Sequence, residues 1–150
     1  MAAKRKTGAA ALSKREFEAI SELRYQIRRF LRFSEQAVRA AGITPLQYLL
    51  LLHLRGFPGR ESATIGELAE RLQSHHHGAV ALVGRCEALG LVAKRPARED
   101  RRRVEVRLAP KGERKLNELV LLHRAELQAL RRAFGVARLP RLNDAKERRP

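Results

Sequence analysis

Apolar residues recur along this chain first at helical spacing and then, in one short region, at alternate positions. Phe17, Ile20, Leu23, Ile27, Phe30, Leu31 and Val38 follow three- and four-residue steps between Ser13, which has Glu16 three residues on, and Gly42. Those end signals predict one long helix. In "ITPLQYLLLLHLRG", Thr44 is placed as a cap, Pro45 lies in the first turn where its missing N–H is harmless, and Gly56 terminates. This second helix is apolar nearly all round and is expected to be buried. "FPGRES" reads as a loop. Thr64 and Glu67 then form a capping box ahead of Ile65, Leu68, Ala69 and Leu72, which share one helix face. A break at Gln73 and Ser74 precedes a further helix in "SHHHGAVALVGRCEALG", ending at Gly90.

Two short helices joined by a few residues match the helix-turn-helix pattern. Directly after them, "LVAKR" and "RVEVRL" flank "PARED", whose Pro96 and Asp100 suit a turn, so the segment reads as a hairpin with Val104, Val106 and Leu108 on one face. A last helix starts near Pro110 and carries Leu116, Leu119, Val120, Leu127, Leu130 and Phe134. The predicted order is helix, helix, helix-turn-helix, hairpin, helix. The fold class is mainly α with a small β-hairpin wing: a winged helix-turn-helix flanked by long N- and C-terminal helices whose apolar faces need a partner. We expect a flexible basic arm over residues 1–12, a single domain over 13–134 with its helix-turn-helix at 64–90 and wing at 91–108, and a loose basic tail over 135–150.

Charge gives this architecture a partner. The 150 residues carry 32 Lys and Arg against 16 Asp and Glu, a formal +16, which predicts attraction to polyanions. The excess is clustered: ten bases against four acids in residues 93–115 (+6), but two against three in residues 64–92 (−1). One cysteine, Cys86, excludes an intrachain disulfide and suits a reducing cytoplasm, and no apolar stretch reads as a signal peptide or membrane span. No phosphate-cradling glycine loop, nucleophile elbow or recognisable catalytic set is present, so an enzyme is not expected, nor is a cofactor.

On a helical wheel, Ala79, Leu82, Val83, Cys86, Leu89 and Gly90 of the second short helix fall on a core side, and His77, Ala81, Gly84 and Ala88 on the other. The outer set is small, which would let the helix approach a groove floor, with Val80 and Arg85 flanking it. The run His75, His76 and His77 opens this helix. Consecutive helical residues point about 100° apart, whereas helical zinc patterns place ligands one turn apart, so a metal site would need a bent start and His53 or His123 from elsewhere. A proton switch stays open, as does oxidant sensing by Cys86, which falls on the core side. The main reading makes the histidines neutral hydrogen-bonding groups facing phosphates and base edges. In the hairpin, Arg98, Arg101, Arg102 and Arg103 are placed for phosphate or a narrow minor groove, with Asp100 able to hold a guanidinium.

Four stretches, "AAGITPLQYLLLLHLRG", "TIGELAERLQ", "VGRCEALGLVAKR" and "REDRRRVEVRLAPKG", together resemble the MarR-type transcriptional regulators over about residues 20–130. Asp100, Arg102, Leu108 and Gly112 match that family's wing pattern, Asp-x-Arg followed by a strand and Leu-Thr-x-x-Gly. The resemblance implies that Arg102 is a minor-groove arginine with Asp100 as its brace. It also implies a homodimer formed through the terminal helices, bound to a pseudo-palindromic operator on double-stranded DNA. Ala109 stands where the family usually has Thr, and Ala81 and Gly84 stand where many relatives carry larger polar residues. Family members often bind small phenolic or carboxylate ligands between the dimer helices and the DNA-binding lobe, which nominates Tyr25, Phe33, Tyr48 and His53 as a pocket. Relatives that sense oxidants use a cysteine in the first helix, and this chain has none there.

The expectation is a cytoplasmic, homodimeric, DNA-binding regulator, a repressor by preference, released by a small aromatic or carboxylate ligand. His76, His77, Ala81 and Arg85 would face the major groove. Two rivals remain: a sequence-indifferent architectural DNA binder, and a metal- or redox-responsive sensor domain.

Overall fold

The computed structural model describes residues 11–136. The helices and strands run α1 (Lys14–Ala40), α2 (Pro45–Arg55), β1 (Ser62–Thr64), α3 (Ile65–Leu72), α4 (His76–Ala88), β2 (Val92–Pro96), β3 (Val104–Leu108) and α5 (Pro110–Val136). Most of the expected basic arm and tail, residues 1–10 and 137–150, lies outside the described residues. The chain divides into two compact units, one formed by α1 up to Leu31 with α5 from Glu126, the other by Arg32–Ala125.

Helix starts follow the caps. Ser13 donates its backbone N–H to Glu16 Oε2 at 2.6 Å and accepts the Glu16 N–H at 3.3 Å. Thr44 and Thr64 each close a reciprocal capping box, with Gln47 and Glu67 as the returning side chains. Between α3 and α4 the chain turns at Gln73, a left-handed residue at φ 50°.

In the larger unit, Leu50, Leu51 and Leu54 of α2, Leu68 of α3, Val83 and Cys86 of α4, Val106 of β3 and Leu119 of α5 are fully buried in one core. The expectation that α2 is buried all round is corrected: Leu46 and Leu49 are exposed. The loop reading of residues 57–62 also needs correction at its end, because Ser62–Thr64 forms a strand. It pairs antiparallel with β3, Ser62 opposite Arg107 and Thr64 opposite Glu105, giving a sheet of order β1-β3-β2. On α4, Leu89 and Gly90 were expected on the core side, yet both are exposed, since the helix ends at Ala88 and the helical wheel no longer applies beyond it. Along β3, Val106 is buried while Val104, on the same face, is 38% exposed where the hairpin leaves the core.

One close approach fixes how α5 leaves the sheet. The Leu91 carbonyl accepts the Ala109 N–H at 3.0 Å, and a Cβ on Gly112 would lie 2.0 Å from that same oxygen. Only glycine fits.

Candidate nucleic-acid interface

The helix-turn-helix is held by its buried side. Ala79, Leu82, Val83 and Cys86 plug α4 into the core, which leaves His77, Val80, Ala81, Arg85 and Ala88 exposed and Gly84 half-exposed. The outer side is therefore low and carries one cation. At its start His75 occupies the cap position without a side-chain capping bond, and its ring stacks parallel to that of His77, centroids 5.6 Å apart. His76 points to a different neighbour, a groove that reaches the wing.

The wing is a hairpin closed by paired strands and a tight tip. Pro96 pairs with Val104, and the Ala97 N–H donates to the Arg103 carbonyl at 2.8 Å. Asp100 braces Arg102 through the main chain: its Oδ1 accepts the Arg102 backbone N–H at 3.0 Å, and its carbonyl accepts the Arg103 N–H at 2.9 Å. The carboxylate is thus occupied in shaping the turn, and the guanidiniums project from it. Arg98, Arg101, Arg102 and Arg103 are all exposed. Among the described residues none of them forms an ion pair, whereas the carboxylates nearer the sheet do, Glu87 with Lys94 and Glu105 with Arg107. The tip is net positive, four arginines against Glu99 and Asp100.

Between wing and helices lies an open cavity of about 350 Å³, lined by Thr64, Ile65, Gly66, His76, Arg102, Arg103 and Val104. Sequence reasoning nominated His76, Arg102 and Arg103 but missed Thr64, Ile65, Gly66 and Val104. Thr64 was legible as a cap; its place opposite the wing depends on the β1–β3 pairing, which carries no local signal.

Tyr48 and Phe33 meet around buried His123, Tyr48 stacked at 5.0 Å and Phe33 edge-on at 5.6 Å. His123 Nδ1 lies 2.6 Å from the Leu119 carbonyl and Nε2 lies 2.8 Å from Ser34 Oγ. Burial raises the Tyr48 phenol. His53 is half-buried, and burial followed by the charge of Arg71 lowers its imidazole. Tyr25 belongs to the smaller unit, where it is 56% exposed with the Arg29 guanidinium 5.9 Å from its ring.

Among the described residues no three His, Cys, Asp or Glu side chains gather to hold a metal ion. Cys86 is buried, and desolvation pushes its thiol up to about 11 despite the opposing charge of Arg85, so it carries little thiolate at neutral pH. Among the described residues no single helix is long and apolar enough to cross a membrane.

A model of the MarR family matches residues 41–103, the stretch from α2 through the wing tip. No curated protein matches the chain. Among solved structures, a MarR family protein from Bacillus stearothermophilus is 25% identical with a TM-score of 0.68, over 90% of this chain and 87% of that one. A MarR cysteine mutant from E. coli, solved with operator DNA, is 20% identical with a TM-score of 0.61, over 81% and 85%. BpsR of Bordetella bronchiseptica, whose DNA binding is regulated by 6-hydroxynicotinic acid, is 22% identical with a TM-score of 0.58, over 82% and 80%. With the family match lying on the helix-turn-helix and wing, and the fold shared with MarR proteins, the chain is similar to the MarR family of transcriptional regulators.

Proposed function

We propose that this protein is a homodimeric, sequence-specific DNA-binding regulator, acting as a repressor, with residues 13–134 as its working unit. The observation that carries the reading is the pairing of a low, exposed α4 surface with a wing tip whose four arginines have no carboxylate partners among the described residues. His76, His77, Ala81 and Arg85 would meet the major groove. Arg98, Arg101, Arg102 and Arg103, with Asp100 shaping their turn, would meet backbone and minor groove. Two such helices about 34 Å apart would span half-sites one helical turn apart on a pseudo-palindrome.

Dimer formation is supported by what α1 and α5 leave uncovered. Phe17, Tyr25 and Leu31 on α1 and Leu121 and Leu122 on α5 are each more than half exposed. Apolar surface of that extent on helices is costly in water and suits a second copy with the same faces. Release by a small aromatic or carboxylate ligand is part of the proposal; BpsR, regulated by 6-hydroxynicotinic acid, is a precedent on the same fold.

Selection of bound duplexes from a random-sequence pool tests the reading. A pseudo-palindromic consensus is expected, and a pool that stays random after enrichment would hand the case to the architectural rival. On the selected duplex, Arg102→Ala should weaken binding and flatten the log–log salt dependence by about 1 if its contact is to phosphate. An unchanged affinity and slope would remove Arg102 from the interface.

A further inference from the structure

The C-terminal end of α4 and the first turn of α5 are joined at more points than the hairpin between them requires. α4 closes in a Schellman turn: Gly90 is left-handed at φ 73°, its N–H donates to the Glu87 carbonyl at 2.9 Å, and the Leu91 N–H donates to the Cys86 carbonyl at 2.9 Å. That turn leaves the Leu89 carbonyl without a partner inside the helix. Lys111 at the start of α5 supplies one, its ammonium donating to the Leu89 oxygen at 2.9 Å. A cation is favoured at the negative end of a helix, so a lysine ties this carbonyl more firmly than a neutral donor would. Two residues further on, Leu91 is gripped by backbone. Its carbonyl accepts the Ala109 N–H at 3.0 Å and faces Gly112, where a Cβ would come within 2.0 Å. One attachment makes a pivot, whereas two, at Leu89 and Leu91, fix a direction. The grip on Leu91 is independent of the side chain at 111, so the direction depends on Lys111.

We propose that Lys111 is a positioning residue that fixes the angle between α4 and α5 and thereby sets the half-site spacing that the dimer accepts. The tether stands on the contacts above; the spacing rests on the dimeric DNA-binding reading. α5 carries Leu121 and Leu122, both more than half exposed and ascribed above to the dimer contact. They lie about 15 Å along the helix from Lys111. An angle set at Lys111 therefore governs the separation of the two α4 helices. With each helix about 17 Å from the two-fold axis, a turn of about 10° moves it about 3 Å, close to the base step of about 3.4 Å. A small rotation is enough to change register on the duplex.

Lys111→Met keeps the aliphatic stem and removes the donor, while Lys111→Arg keeps a cationic donor. The full chain and both variants are titrated with the duplex selected from the random pool, resynthesised with its half-sites one or two base pairs closer or farther apart. The unsubstituted protein should lose affinity at each altered spacing. Lys111→Met should shrink that penalty about fivefold, the factor that one hydrogen bond carries, and Lys111→Arg should restore it. Affinity for a duplex with a single half-site should not change. An identical spacing profile in Lys111→Met overturns the spacing role. So does an equal loss on every duplex with a shallower salt dependence, which would make Lys111 a phosphate contact. Amide hydrogen exchange reads the tether without DNA: Lys111→Met should speed exchange at Gly90 and Leu91 and leave Leu50 and Leu54 of α2 unaffected. Unchanged exchange at Gly90 and Leu91, or a rise spread equally over α2, overturns the tether. If the unsubstituted protein binds no duplex or accepts all spacings equally, the dimeric DNA reading and the spacing role fall, and exchange still decides the tether.

Discussion

Gly112→Ala tests whether the junction between the wing and α5 is as tight as the geometry makes it. The added Cβ would sit 2.0 Å from the Leu91 oxygen, 2.9 Å from its carbonyl carbon and 3.2 Å from its Cα. All three atoms are backbone, so no flexible side chain can yield. The start of α5 must retreat by about 1 Å even to reach a barely tolerable contact, a displacement that also stretches the Ala109 N–H bond to Leu91 at 3.0 Å. Overpacking costs about 1–3 kcal/mol and the weakened hydrogen bond about 1, against a helix-propensity gain of up to about 1 for replacing glycine. The net loss is about 1–3 kcal/mol, roughly 2–12 °C in melting midpoint for a chain of this size.

Thermal melts followed by far-UV circular dichroism measure it, at one fixed protein concentration because self-association shifts the midpoint. Gly84→Ala is the matched control, a helical glycine on α4 where a Cβ meets nothing within 4 Å. It should gain about 0.5–1 kcal/mol. A Gly112→Ala protein that melts at or above the unsubstituted one refutes the argument, for it would mean the α5 start slides without cost.

Ala109→Ser restores a side-chain acceptor at the position preceding α5 and should raise stability by about 1 kcal/mol, read as a later urea midpoint with an unchanged slope. For Glu67, burial pushes the carboxyl up, but the bond accepted from the Thr64 N–H, with Arg60 beside it, outweighs burial and holds it below its ordinary 4.5. A folded pKa below the unfolded one stabilises at neutral pH and is lost as pH falls through the folded value, so the stability gap between Glu67→Gln and the parent should close below about pH 4.5; a gap constant from pH 7 to 3 contradicts the capping role. Cys86, buried with its thiol near 11, should resist a chromogenic disulfide reagent in native buffer and react fully in urea. Rapid native labelling would reopen the redox rival.

Much of this fold was legible because its helix ends are signalled by local chemistry. Ser13 with Glu16, Thr44 before Pro45, and Thr64 with Glu67 each announce a helix start within four residues, and the structure uses all three. What escaped was non-local. A three-residue strand has no periodicity to read, and Ser62–Thr64 becomes a strand only because β3 lies beside it. Alternation placed Val104 on one face of β3 with Val106 and Leu108, but alternation cannot say whether anything covers that face, and at the root of the wing nothing among the described residues does so fully. His123 was missed as a core residue because residue type suggests exposure; two hydrogen-bonded ring nitrogens and two aromatic neighbours make its burial affordable. The wing arginines were found by charge and position, yet the groove they share with Thr64 and Gly66 required coordinates.

In the proposed complex, affinity and sequence reading are divided between the two parts of the interface. Residues 64–92 carry two bases against three acids, whereas the wing tip alone presents Arg98, Arg101, Arg102 and Arg103. Counterion release scales with phosphates neutralised, so the salt-dependent share of binding belongs chiefly to the wing. The outer side of α4 offers imidazoles, one guanidinium at Arg85 and the methyl of Ala81, a set able to make few bidentate base contacts but suited to thymine methyls and close approach. Discrimination would then lean on groove shape and on the spacing imposed by the dimer.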